Sequence, residues 1–130
     1  MSKAVIFPGQ GSQKVGMGQD HYDSSPKFAE MVDRANEILG IDLKSIMFEG
    51  PDETLTQTEY TQPAIFLHSV ALFATLDEKP DMVAGHSLGE FSALVACGAV
   101  SFEDALKVVR RRGELMQQAV PEGRGGMAAV

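Results

Sequence analysis

The segment Asp81-Met82-Val83-Ala84-Gly85-His86-Ser87-Leu88-Gly89-Glu90 narrows the fold more than any other part of the chain. A short apolar run enters a Gly-x-Ser-x-Gly pattern, and an apolar stretch reaching about Cys97 leaves it. Residues 81–85 predict a β-strand, Ser87 a sharp turn, and residues 88–97 a helix. A turn this tight has no room for side chains at Gly85 and Gly89, and it leaves the serine hydroxyl prominent at the end of the strand. The helix beginning at Leu88 aims its free N–H groups and positive dipole end at the same place, where an oxyanion would form during acyl transfer. Ser87 is therefore a candidate nucleophile. The plain alternative is a Ser-Gly turn that only caps a helix.

Around this feature the chain alternates strands and helices. Ala4–Phe7 predicts a strand that Pro8-Gly9-Gln10-Gly11 ends in a tight turn, with a loop after it. Ser25-Pro26 opens a helix whose core face is Phe28, Met31, Val32, Ala35, Ile38 and Leu39, and Gly40 stops it. Leu43–Glu49 predicts a shorter helix and residues 50–52 a loop. With Pro63 in a first turn, Ala64–Leu76 is apolar on nearly every side and predicts a helix covered by its neighbours. Ser101-Phe102-Glu103-Asp104 is a capping box for a helix to about Gln118; a link over residues 121–126 leads to the start of a third strand at Met127–Val130. The order implies an α/β fold with a parallel sheet covered by helices. Two complete strands are few for such a sheet, so the pattern reads as cut short.

Composition matters chiefly for what it excludes. A net charge of -7 argues against nucleic acid as a main partner, because phosphate binding relies on a basic surface. The apolar run near the N-terminus is too short for a signal-peptide core, and no segment is long enough for a membrane span, so the chain reads as cytoplasmic. The single Cys97 rules out an intrachain disulfide, and it and the methionines read as packing. No clustered Cys or His ligands suggest a metal. The glycine-rich stretch near residue 10 is not a phosphate loop, since Met17 stands where lysine is needed. It supplies instead a backbone amide, that of Gln10, at the sheet edge where Ser87 should lie. Gln10 and Leu88 N–H are thus candidate oxyanion donors.

Arg112 lies at helical spacing from Ala105, Val108, Val109, Leu115 and Met116, on an apolar stripe, whereas Arg110 and Arg111 face water. A guanidinium taken out of water calls for a carboxylate, which an internal Asp or Glu or a substrate could supply. Of the three histidines, His68 reads as core, His21 as lying in a polar loop, and His86 as a neighbour of Ser87 that points away from it.

Five motifs in the same order make the whole chain similar to the malonyl-CoA:acyl carrier protein transacylases and the related acyltransferase domains of polyketide synthases. They are Phe7-Pro-Gly-Gln-Gly-Ser-Gln13, Thr61-Gln-Pro-Ala64, Gly85-His-Ser-Leu-Gly-Glu90, Arg112-Gly-Glu-Leu-Met-Gln117 and Gly126-Met-Ala-Ala129. The resemblance implies that Ser87 takes a malonyl group from malonyl-CoA and passes it to the phosphopantetheine thiol of acyl carrier protein, without metal or redox cofactor. It implies oxyanion donors at Gln10 and Leu88, a carboxylate clamp at Arg112, and a pocket residue at Gln62. It further implies that residues 1–125 begin the large subdomain, that a small ferredoxin-like subdomain starts at 126–130, and that the catalytic histidine follows later. The chain then reads as an N-terminal fragment. Lys107, Arg110, Arg111 and Arg124 are the positive charges nearest the expected site and are candidates for meeting an acidic carrier. A serine hydrolase and a non-catalytic binding module are the alternatives.

Overall fold

Residues 1–126 and 128 are described by a computed structural model. The strand expected over 127–130, and with it the start of a second subdomain, lies outside the described residues. Strand β1 (Ala4–Phe7) pairs in parallel with β2 (Met82–Gly85), Phe7 lying opposite Gly85. The two carboxyl ends, which lead into Gly9-Gln10 and His86-Ser87, therefore finish side by side.

The helices are α1 (Gln19–Ser24), α2 (Pro26–Leu39), α3 (Leu43–Glu49), α4 (Asp52–Leu55), α5 (Thr58–Ala74), α6 (Gly89–Ala96) and α7 (Phe102–Ala119). Their ends follow local chemistry. Ser25 accepts the Phe28 N–H at 3.3 Å, Pro26 fills the first turn of α2, and Gly40 ends it with φ 65°. Asp42 accepts the Ser45 N–H at the start of α3, and Ser101 the Asp104 N–H at the start of α7. Each such cap satisfies a donor that the first helical turn leaves unpaired.

Helix α5 is the centre of the molecule. Its residues from Thr61 to Leu67 are all buried, and it packs against α2, α6 and α7. Phe28, Val32 and Ala35 fill one side, and Leu106 and Val109 the other. Phe66 stacks on Phe102 at 6.0 Å between ring centroids. Helix α6 packs on the sheet, where Phe7 meets Phe73 edge-on. The opposite sheet face is open among the described residues: Ile6 is 75% exposed and Met82 57%.

Four expectations need correction. The segment holding α1 reads as a loop and α4 is not anticipated beyond a loop over residues 50–52, because six and four residues are too short to display a helical period; His21 is accordingly helical. Helix α5 begins five residues before Pro63, so the proline lies inside it. Proline has no N–H to give the Glu59 carbonyl one turn back, and Arg110 Nη1 donates to that carbonyl at 2.6 Å. Arg110 therefore does not face water: its side chain is 16% exposed, paired with Glu59 at 3.7 Å and Glu114 at 3.2 Å. Cys97, lastly, is exposed at the end of α6 rather than packed.

Candidate active site

The turn at Ser87 is built by what its neighbours lack. A Cβ on Gly85 would stand 2.0 Å from the Gly89 carbonyl carbon, and one on Gly89 would stand 2.2 Å from the Phe7 carbonyl oxygen. Both contacts are impossible for real side chains, so the strand reverses into α6 only with glycine at these two places. Between them Ser87 adopts φ 52°, the only non-glycine residue with positive φ among those described. That conformation is strained for a side-chain-bearing residue, and it leaves Ser87 exposed at the sheet's carboxyl edge while Leu88 beneath it is fully buried.

The loop after β1 rests on this turn. A Cβ on Gly9 would stand 2.6 Å from the His86 carbonyl oxygen, so the loop carrying Gln10 packs directly on the backbone that precedes Ser87. Neither the Gln10 nor the Leu88 backbone N–H has a hydrogen-bond partner among the described residues.

Arg112 Nη2 donates to Ser87 Oγ at 3.2 Å, and Nη1 donates to Gln62 Oε1. The guanidinium also lies over the Phe91 ring, 5.5 Å from its centroid. Gln62 is 1% exposed, and its Nε2 donates to Gln10 Oε1 at 2.9 Å. The structure thus brings Ser87, Arg112, Gln62 and Gln10 into one connected group, with Leu88 adjoining.

Arg112 is half-buried, and its place differs from the stripe expected. The seam that α7 buries is Ala105, Leu106, Val109 and Gly113, while Val108 is 51% and Leu115 48% exposed. Gly113 explains the seam: a Cβ there would lie 3.0 Å from the Thr58 carbonyl oxygen, so the backbones of α7 and α5 approach at this point. Arg112, one residue aside, is carried to Gln62. Val108, Leu115, Met116 and Phe91 line an open apolar hollow of about 530 Å³ beside it.

The counter-charges sort the arginines. Arg110 pairs with Glu59 and Glu114, and Arg111 pairs with Glu114 at 3.4 Å. Lys107 pairs with Glu103. Arg112, in the same run, pairs with no carboxylate among the described residues. No internal acid among the described residues takes the place that would make it structural.

No histidine hydrogen-bonds Ser87 among the described residues, and His86 is exposed. His68 sits half-buried against Phe28, with His21 6.3 Å away between ring centroids. Burial first, then the nearby charges of His21 and Lys14, lower its pKa below the ordinary histidine value. No group of described residues is arranged to hold a metal, and no described helix is long and apolar enough to cross a membrane.

A parallel pair of strands, a serine at positive φ between strand and helix, and unpaired backbone donors beside it define an α/β protein of the kind on which serine acyl-transfer sites are built. Residues 5–130 match the acyl transferase domain, and the chain belongs to that family. It is 53% identical over 132 residues to the malonyl CoA-acyl carrier protein transacylase of Staphylococcus aureus (strain MRSA252), spanning all of this chain and 43% of that protein. Among solved structures it resembles MCAT from Streptococcus pneumoniae, with a TM-score of 0.87 at 51% identity over 91% of this chain and 39% of that one. It also resembles a malonyl-transacylase in complex with its type II PKS acyl-carrier protein, with a TM-score of 0.89 at 43% identity over 95% and 41%. The chain thus spans less than half the length of these relatives.

Proposed function

We propose that the protein transfers a malonyl group from malonyl-CoA to the phosphopantetheine thiol of acyl carrier protein, through an ester on Ser87, in fatty acid synthesis. The observation that carries this reading is Arg112: a guanidinium without an acidic partner among the described residues, held against the serine hydroxyl by a buried glutamine. A hydrolase acting on neutral esters has no use for such a group, whereas an acyl chain ending in a carboxylate would complete it with a bidentate pair.

The Ser87 oxygen attacks the thioester carbonyl, its proton passes to a base, and the carbonyl oxygen takes negative charge opposite the Gln10 and Leu88 N–H groups. The carbon–sulfur bond breaks, coenzyme A leaves as the thiol on regaining a proton, and the carrier's thiol reverses the sequence. Arg112 holds the malonyl carboxylate throughout, with Gln62 fixing the guanidinium. We assign the base to the part of the relatives that this chain does not cover, since no histidine among the described residues hydrogen-bonds Ser87. The subdomain boundary near residue 126 belongs to the same reading. So does a place in the cytoplasm.

The test is made on the full-length protein. Incubation with malonyl-CoA followed by peptide mass spectrometry should place the malonyl group on Ser87, and Ser87→Ala should abolish it. Arg112→Ala should lower malonyl transfer by about 2–5 kcal/mol of transition-state stabilisation, the range for one partner removed from a desolvated charge pair, and acetyl transfer far less. An adduct elsewhere, or equal losses for the two acyl groups, would refute the assignment.

A further inference from the structure

The contacts that hold Arg112 do not end at Gln62. Gln62 Nε2 donates to Gln10 Oε1, Gln10 Nε2 donates to Thr58 Oγ1 at 3.1 Å, and the Thr58 backbone N–H donates to Gln117 Oε1 at 2.9 Å. Gln117 stands on α7 with Arg112, so the bonds close a ring through α7, α5 and the loop after β1.

The ring has a direction that one residue imposes. A guanidinium carries donors and no acceptor, so Gln62 must turn its carbonyl oxygen toward Arg112. Its amide nitrogen then faces Gln10, which must in turn present its own oxygen. The Gln10 nitrogen is left pointing outward and needs an acceptor, and the Thr58 hydroxyl is that acceptor. Reversing either amide would put two donors face to face. With Gln62 1% exposed, an amide there without partners would be costly.

We propose that Thr58 is a positioning residue for the carboxylate clamp: its hydroxyl terminates the one-way chain of donors that aims Arg112 at the acyl group on Ser87. The proposal rests on the malonyl reading of Arg112. Thr58 is the first residue of α5, and its own N–H is one of the donors a helix start leaves unpaired. Its bond to Gln117 ties that end of α5 to the helix carrying the guanidinium. The Gln10 backbone is held separately by the packing of Gly9 on His86, so loss of the Thr58 hydroxyl falls on the clamp rather than on the oxyanion donors.

The experiment uses the full-length protein and a mixture of malonyl-CoA and acetyl-CoA, reading the ratio of the two acyl groups on Ser87 by mass spectrometry, with thermal unfolding alongside. Thr58→Val keeps the shape and removes the acceptor, and the malonyl-to-acetyl ratio should fall roughly three- to tenfold, the effect of one hydrogen bond. Thr58→Ser, which keeps the acceptor, should restore the ratio, whatever either change does to the unfolding temperature. Thr58→Ala should reproduce Thr58→Val without adding bulk. A wild-type ratio in the valine and alanine variants, or an equal fall in the serine variant, would overturn the proposal. Arg112→Ala separates the two levels. If it abolishes the malonyl preference while Thr58→Val keeps it, the positioning role alone fails; if it keeps the preference, the clamp fails and the positioning role with it.

Discussion

Ser87 and His68 show single residues held in states that solution would not favour. Ser87 keeps φ 52° because Gly85 and Gly89 let strand and helix close on it. For a residue with a Cβ this region costs roughly 1–2 kcal/mol relative to glycine. Ser87→Gly should therefore raise the unfolding free energy by about 1 kcal/mol while abolishing acylation, the exchange expected where strain serves a reactive group; a glycine variant less stable than the parent would contradict it. Burial beside Phe28 disfavours the charged form of His68 and lowers its pKa below the ordinary 6.5. As the pH falls below about 6.5 the unfolded chain takes up the proton first, so stability declines until the lowered value of the folded histidine is passed, then levels. His68→Gln should flatten that part of a curve of unfolding temperature against pH in the full-length protein. An unchanged slope would show that other groups titrate there.

At the scale of elements, the seam between α5 and α7 sets the geometry of the site. Two features close it: the bare backbone at Gly113, and Arg110, which caps the Glu59 carbonyl that Pro63 leaves free. Arg110→Met keeps the stem but leaves that carbonyl and the Glu59 and Glu114 carboxylates short of a donor. It should lower stability by about 1–3 kcal/mol in denaturant titration, and loss of malonyl selectivity should accompany it if the seam sets Arg112. Much of this level was legible in the sequence. The turn at Ser87 carries its own pattern of glycines, and the caps at Ser25, Gly40 and Ser101 announce their helices. The apolar period singled out α7, but it placed Arg112 among Val108 and Leu115, which are exposed, rather than beside Gly113. A glycine contributes nothing to an apolar count, so the closest approach of the two helices left no signal. Nor could spacing show the bonds from Gln10 to Thr58 and Gln62, which join residues about fifty positions apart. The burial of Arg110 leaves no mark in the spacing for a related reason: the carbonyl it caps is freed by a proline four residues further along another helix.

For the whole molecule, the sheet poses the remaining question. Ala4-Val5-Ile6-Phe7 is apolar at every position, the mark of a parallel strand buried on both faces, yet among the described residues only the face of Val5 and Phe7 is covered, by α6 and by Phe73 of α5. Ile6 and Met82 lie open on the other. The chain spans 43% of the length of its Staphylococcus aureus relative, and an apolar sheet face left in water favours association or packing of further chain upon it. Thiol labelling distinguishes the states. In a Cys97→Ser background, needed because Cys97 is exposed, Ile6→Cys should react in the 130-residue chain as fast as an unhindered thiol. In the full-length protein the same cysteine should react at least ~10-fold more slowly, because burial allows attack only through local opening. Equal rates would mean that this face stays bare in the complete molecule, and the apolar run of β1 would need another explanation. Protection already present in the 130-residue chain, and lost on dilution, would instead identify self-association as what covers it.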